Sequence, residues 1–454
     1  MKLIYQVEDK PKFGELIVFA IQQLLAIMAA TLVVPVIVGN GMEPAAALFG
    51  AGVGTLVYVF FTRKKSPVFL GSSFAFLGSM AAAFAGASSV AVGYIGLILG
   101  AIFAGLVYVV IALIVKLVGV DWIDKLMPAV VIGPTVAIIG LSLAGNAVGD
   151  IVTGGVKDAE GVAVASPLVA LLCGLVTLAV TMACSVYGKK FGKLIPFIFG
   201  ILAGYAVAAV LTAIGNASGI DSIKVLSTEP YKALVANGVG LSTFFTLPTF
   251  TFMTAFGAFS EGIDGGYILT IFAAYVPVAF VVFAEHIADH KNISSIIEKD
   301  LLKDPGLHRT LLGDGIGSMV GAFFGGCPNT TYGESIGCVA ITKNASVASI
   351  IAAAIGAILI AFVAPFVAFV NSIPSCVMGG VCMALYGFIA VSGLKMVQAV
   401  DLNKNKNLFV VSVILIAGIG GLTLNFGSVT ITSIACALIL GILTNIMLKN
   451  GPEE

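Results

Sequence analysis

"CPNTTYGESIG", residues 327–337, places a carboxylate, Glu334, among hydroxyl, amide and glycine residues. The sequence on both sides is strongly apolar, with "GSMVGAFFGG" (317–326) before it and "SIIAAAIGAILIAFVAPFVAFV" (349–370) after a short helical piece. After Glu334 a helix can run only to about Lys343, and ten residues at 1.5 Å rise cover about 15 Å. That is half of a hydrocarbon core about 30 Å thick. The stretch therefore predicts a half-helix preceded by extended backbone. Extended backbone leaves N–H and C=O groups that lipid cannot satisfy, so it must be buried in protein or line a cavity.

The rest of the chain places this stretch inside a membrane protein. Of 454 residues, 59% are hydrophobic and 10% charged, and mean hydropathy is +1.10. Soluble domains carry about a quarter charged residues. The net charge of +0 supplies no basic face to neutralise phosphates, which argues against nucleic acid as a partner. The seven cysteines fall in or beside apolar segments without a CxxC pair, so small packing residues are expected rather than metal ligands or disulfides. No cofactor is expected. The mixed-charge start "MKLIYQVEDKPKFGE" does not read as a removable signal peptide.

Candidate spans of about 20 apolar residues lie near 16–38, 45–62, 68–87, 92–117, 124–145, 166–188, 194–215, 266–290, 310–326, 329–344, 346–371, 375–395, 407–424 and 428–448. With an even count and the N-terminus inside, all but Lys157, Lys224 and Lys232 of the 23 Lys and Arg fall on the cytoplasmic side. This separation follows the positive-inside rule and predicts both termini in the cytoplasm. Two long outer connections, 146–165 and 216–265, interrupt the pattern. The second holds "LSTFFTLPTFTFMTAF", too polar to span and expected at the interface or capping the outer side. It divides the spans seven and seven, so the second half enters with inverted orientation, as in many secondary transporters.

Two pairs of segments carry a trace of that repeat. "MPAVVIGPTVAIIGLSLAG" (127–145) and "IPSCVMGGVCMALYGFIAVSG" (373–393), the fifth spans of each half, share Pro-x-x-Val-x-Gly before an apolar helix. "SPVFLGSSFAFLGSM" (66–80), the third span, matches "CPNTTYGESIGCVAIT" (327–342), the tenth. Each begins with Pro, runs extended, reaches a Gly/Ser cluster and becomes helical. The two extended pieces are expected to pair as short antiparallel strands. Each half-helix then begins near the midplane and points N–H groups and a positive dipole end into a shared pocket. The predicted fold class is an all-α polytopic membrane protein of fourteen segments, two inverted repeats of seven, with short strands in segments three and ten.

Three acids fall in or beside spans: Glu285, Asp289 and Glu334. In "VPVAFVVFAEHIADH" (276–290) Glu285 and Asp289 are four residues apart and share a helix face. Intramembrane acids usually face the protein interior and bind substrate or relay protons. The plainer alternative is that both are solvated at the cytoplasmic end, more readily so for Asp289, which Lys291 and Asn292 follow closely. A carboxyl in such a pocket offers a route for proton coupling, with His290 able to share the task and His286 as a relay or packing residue. Asp314, in "LLGDGIGSM", reads equally as a helix N-cap, and "KDPGLHR" (303–309) as a tight turn. Acceptor carboxylates together with backbone N–H donors at Phe74 and Gly333 suit a flat ring that alternates N–H and C=O. Phe74 and Tyr332 are placed to stack on its faces. An inorganic anion would be repelled by the acids, and a simple cation has no use for helix N-termini.

These residues resemble the nucleobase–cation symporter family, the nucleobase–ascorbate transporters, and within it the bacterial uracil permease branch. The stretches that carry the resemblance are "GSSFAF" (71–76), "AEH" (284–286), "KDLLKDPGLHR" (299–309) and "NTTYGESIGCVAITK" (329–343). It extends from "QQLLAIMAATLVVPV" (22–36) to "PSCVMGGVCMALYG" (374–387). The resemblance implies a core domain (1–120 and 266–372) and a gate domain (121–217 and 373–454), with an outer connection at 218–265. It further implies a homodimer through the gate and an elevator-like movement of core against gate. Glu285 would bind the ring N–H and carbonyl region, Glu334 would accept ring N–H bonds, Phe74 and Gly333 would hold carbonyl oxygens, and Tyr332 would line the pocket. The family pattern commonly has Asn where Ser335 stands, His where Leu24 stands and, in some uracil carriers, His where Asp289 stands. The expected function is proton-coupled uracil import across the inner (cytoplasmic) membrane, not enzymatic, with sodium as the alternative to the proton. A xanthine or other purine symporter is the alternative, and an anion exchanger of the same fold a more distant one.

Overall fold

The computed structural model describes residues 3–119, 128–158, 160–189, 191–236, 238–426 and 429–448. The first residues of the expected fifth span, the 120/121 domain boundary, and Lys2, Lys125, Lys190 and Lys449 lie outside them. The fold is mostly helical. Among the described residues, eight helices are long and apolar enough to cross a membrane.

The first half runs α1 (Phe13–Val38), α2 (Pro44–Phe61), β1 (Leu70–Ser72), a short 3-10 turn (Phe74–Phe76), α3 (Leu77–Ala85) and α4 (Val90–Val118). It continues with α5 (Ala129–Ser142), α6 (Ala144–Ile151), α7 (Pro167–Tyr187) and α8 (Pro196–Ser218). The second half has α9 (Gly265–Ile297), α10 (Leu307–Gly325), β2 (Asn329–Thr331), α11 (Gly333–Thr342), α12 (Val347–Ile360) and α13 (Ala364–Ser372). It ends with α14 (Ser375–Gln398), α15 (Asn405–Ile419), β3 (Leu424–Phe426), β4 (Val429–Ile431) and α16 (Ser433–Met447).

Several boundaries differ from the expected spans. α9 continues two turns past Asp289, because Lys291, Asn292 and the residues after them are compatible with helix and the chain turns only at Glu298, with φ 57°. The stretch 346–371 is two helices with a break at 361–363, where Val363 is extended and Pro365 lies in the first turn of the second helix. The connection expected at 146–165 begins as helix α6. The stretch 241–256, expected on the outer side, forms short helices, Leu241–Phe244 and Thr251–Phe256. Its phenylalanines pack on α10, with Phe252 stacked on Phe323 at 4.9 Å. A second strand pair, β3 with β4, precedes α16.

Two groups of helices pack most closely. In one, α10 lies against α2 and α4, α9 against α4, and α12 against α1 and α2. In the other, α14 lies against α5, α6 and α7, α7 against α8, and α15 against α5 and α16. One close approach joins α2 and α10 backbone to backbone. A Cβ at Gly54 would sit 2.7 Å from Gly317 O, and one at Gly317 would sit 2.7 Å from Gly54 O. Only glycine permits such contact, the usual device where lipid supplies no hydrophobic drive between helices. The seven cysteines are free and all but Cys184 are buried.

Candidate functional site

β1 and β2 pair antiparallel with Leu70 opposite Thr331, Gly71 opposite Thr330 and Ser72 opposite Asn329. Ser73 N–H donates to Pro328 O at 2.9 Å and Tyr332 N–H to Phe69 O at 3.2 Å. On the other edge of β1, Leu70 N–H donates to Thr55 Oγ1 of α2 at 2.9 Å. The extended backbone inside the bundle is thus satisfied by protein, as its depth requires. Both strands end where a helix starts, at Phe74 and at Gly333. The first N–H groups of a helix have no intrahelical partner and carry the positive end of its dipole. α11 is ten residues long, the half-crossing read from the sequence.

Ser73, Phe74, Tyr332, Gly333 and Glu334 line a cavity of about 390 Å³ together with Glu285 and Asp289 of α9. That volume is in the range of small-molecule sites. A Cβ placed on Gly333 would meet nothing within 4 Å, so the start of α11 opens onto free space. Asp289 accepts from Thr331 Oγ1 at 2.8 Å, which ties α9 to β2. Tyr332 is buried, and its hydroxyl donates to Ser72 O at 2.6 Å. Its ring therefore lines the cavity with its polar tip already engaged. The Phe74 ring makes an edge contact with Tyr386 of α14, centroids 6.0 Å apart.

The structure does not bring His286 or His290 to this cavity. His290 lies behind it, with Nδ1 2.7 Å from His286 O and Nε2 2.7 Å from Tyr58 Oη. His286 bonds Asp314 and Thr310. The N-cap reading of Asp314 is overturned: Asp314 sits inside α10, two turns past its start, and is 1% exposed. The helix begins earlier than the apolar pattern suggests, because the turn at 302–306 leads straight into it. Lys65 holds that turn through Asp304 at 2.7 Å.

Sequence reasoning missed the opposite wall of the cavity, which is apolar and includes Val136, Ile139, Phe197, Phe388 and Met396. These residues come from α5, α8 and α14. The repeated Pro-x-x-Val-x-Gly opening of α5 and α14 was the available signal for this wall. Also missed was Ser335, 0% exposed, which accepts a bond from the Gln23 side-chain amide of α1 and one from Phe69 N–H at 2.9 Å. One hydroxyl thereby holds α11 to α1 and to the entry of β1.

Residues 14–426 match the permease family. Three relatives named uracil permease align over nearly their whole length. The one from Bacillus caldolyticus is 38% identical, covering 100% of this chain and 96% of the relative. The one from Bacillus subtilis (strain 168) is 36% identical, covering 99% and 96%. The one from Escherichia coli (strain K12) is 37% identical, covering 98% and 93%. Among solved structures, the transmembrane domain of a cyanobacterium bicarbonate transporter, BicA, superposes with a TM-score of 0.61 at 16% identity, covering 97% of this chain and 100% of that one. The murine anion transporter Slc26a9 in the inward-facing state gives 0.65 at 12%, covering 97% and 69%. At those identities the two structures speak for the fold alone. The chain belongs to the permease family, in its nucleobase–ascorbate transporter group, a family of transporters and not of enzymes.

Proposed function

We propose that the chain imports uracil together with protons across the inner (cytoplasmic) membrane. The observation that carries this reading is the polar half of the cavity, where Glu285 and Glu334 lie with the two helix starts at Phe74 and Gly333. A ring that alternates N–H and C=O uses both kinds of partner, whereas an inorganic anion meets two acids. The three relatives named uracil permease support a pyrimidine over a purine.

In this reading Glu334 accepts ring N–H, and Glu285 binds the neighbouring N–H and carbonyl region. The backbone N–H groups of Phe74 and Gly333 hold carbonyl oxygens, Tyr332 closes one side, and the apolar wall covers the ring face. The coupling proton resides on Glu285 or Asp289, and His290, turned toward Tyr58, is the third candidate. The chain has fourteen segments in two inverted repeats of seven, with both termini cytoplasmic. Residues 1–120 and 266–372 form a core that moves as an elevator against a gate of 121–217 and 373–454, with 218–265 between them on the outer side. The gate carries the homodimer contact. The paired strands at corresponding places in each half and the two closely packed helix groups support this division.

The decisive experiment is a thermal-shift screen of the purified protein against nucleobases, because a ligand that binds the folded state alone raises its stability. Uracil is expected to give the largest shift. A larger shift with xanthine refutes the substrate. Labelled uracil uptake is expected to fall when the pH gradient is collapsed. Uptake that follows sodium and ignores the pH gradient refutes the proton coupling.

A further inference from the structure

Behind the cavity, away from its lining, His286 and Asp314 form a buried pair, each 1% exposed, with Nδ1 2.6 Å from Oδ2. Thr310 Oγ1 donates its proton to Leu307 O at 3.0 Å. It also lies 3.0 Å from His286 Nε2. Both ring nitrogens of His286 thus have side-chain partners.

The other oxygen of Asp314, Oδ1, has no protein partner, and neither has the hydroxyl of Tyr108, 4% exposed. Both residues border one small space of about 10 Å³, together with Ser318, Asn329 and Thr330. That is room for a single water molecule, and a buried water typically makes about three hydrogen bonds to such orphaned groups. Asn329 and Thr330 belong to β2, whose next residue, Thr331, bonds Asp289. His286 directly follows Glu285 on α9. Asp314 thus contacts α9 on one side and, on the other, shares this small space with the strand that delivers α11.

We propose that Asp314 is a positioning residue. Through His286 and one buried water it sets α9, with Glu285 and Asp289, and strand β2, with the start of α11, in register around the substrate cavity. The water is a fixed part of the site. This inference rests on the nucleobase reading of the cavity.

The test compares Asp314→Leu, Asp314→Asn and Ser318→Val with the wild type, in labelled uracil uptake at matched surface level and in base binding by the purified proteins. Asn keeps an oxygen toward the water and offers N–H to His286 Nδ1, so Asp314→Asn is expected within about threefold of the wild-type KM. Asp314→Leu is expected to raise KM tenfold or more while Vmax changes less than twofold. Ser318→Val, which fills the chamber and leaves Asp314 in place, is expected to raise KM at least threefold, and it decides the matter if Asp314→Leu does not reach the surface. An unchanged KM in Asp314→Leu or Ser318→Val overturns the proposal, as does an Asp314→Asn as impaired as the Leu variant. If the wild type binds another base and not uracil, the substrate reading falls and the same ratios are read with that base. A wild type that binds no base overturns both.

Discussion

Replacing Ser335 by Ala removes one oxygen on which two buried donors converge. Phe69 N–H lies 2.9 Å from it, and the Gln23 side-chain amide reaches it from α1. Ser335 and Phe69 are 0% exposed and Gln23 is 3% exposed, so water cannot take over either bond. An orphaned buried donor costs about 1–3 kcal/mol, and two of them give a loss of about 2–6 kcal/mol. Alanine keeps the Cβ and a good helix propensity, so the loss comes from the bonds and not from the helix. Unfolding of the purified protein in detergent, followed by intrinsic fluorescence, should show the midpoint falling by several degrees. Gln23→Leu alone and the double variant complete a cycle, with an expected coupling of about 1 kcal/mol or more. Because Ser335 adjoins Glu334, the uracil KM should rise as well. An unchanged midpoint in Ser335→Ala, or zero coupling to Gln23→Leu, would show that the hydroxyl does not hold these elements together.

Three further outcomes test the site and its frame. Glu334→Gln and Glu285→Gln should each abolish uracil uptake with surface expression kept; normal transport in either variant removes that acid from the site. Thr331→Val deletes the donor 2.8 Å from Asp289, and removing a hydrogen bond to a charged or acidic group is worth about 1.5–3 kcal/mol. Base affinity in that variant should drop by roughly ten- to a hundredfold, and an unaltered affinity would separate Asp289 from the ligand. Gly54→Ala puts a methyl 2.7 Å from Gly317 O and should destabilise by about 1–3 kcal/mol through overpacking, read as a lower unfolding midpoint. A wild-type midpoint would mean that α2 and α10 can separate freely.

What could be read from the sequence was local. The ten-residue limit on α11 followed from Gly333, Lys343 and the apolar lengths on either side, and α11 has that length. The extended character of 70–72 and 329–331 followed from Pro and Gly/Ser placement, and their pairing from matching positions in the two halves. Glu285, Asp289 and Glu334 stood out because charge is expensive in an apolar run. Hydropathy and helix geometry act over a few turns, so one sequence suffices for such inferences.

The remaining features needed tertiary structure. Ser335 gains its purpose from Gln23, 312 residues away, and from Phe69, 266 residues away. No periodicity connects such positions, and only the packing of α1, β1 and α11 brings them within a bond length. Asp314 looked like a cap until the fold placed it opposite His286. The apolar wall of Val136, Phe197 and Phe388 had no signal beyond the shared opening of α5 and α14, since an apolar side chain carries no mark of which surface it will face. Composition and helix length set what each segment can be; which side chains share a cavity depends on close packing between segments distant in sequence.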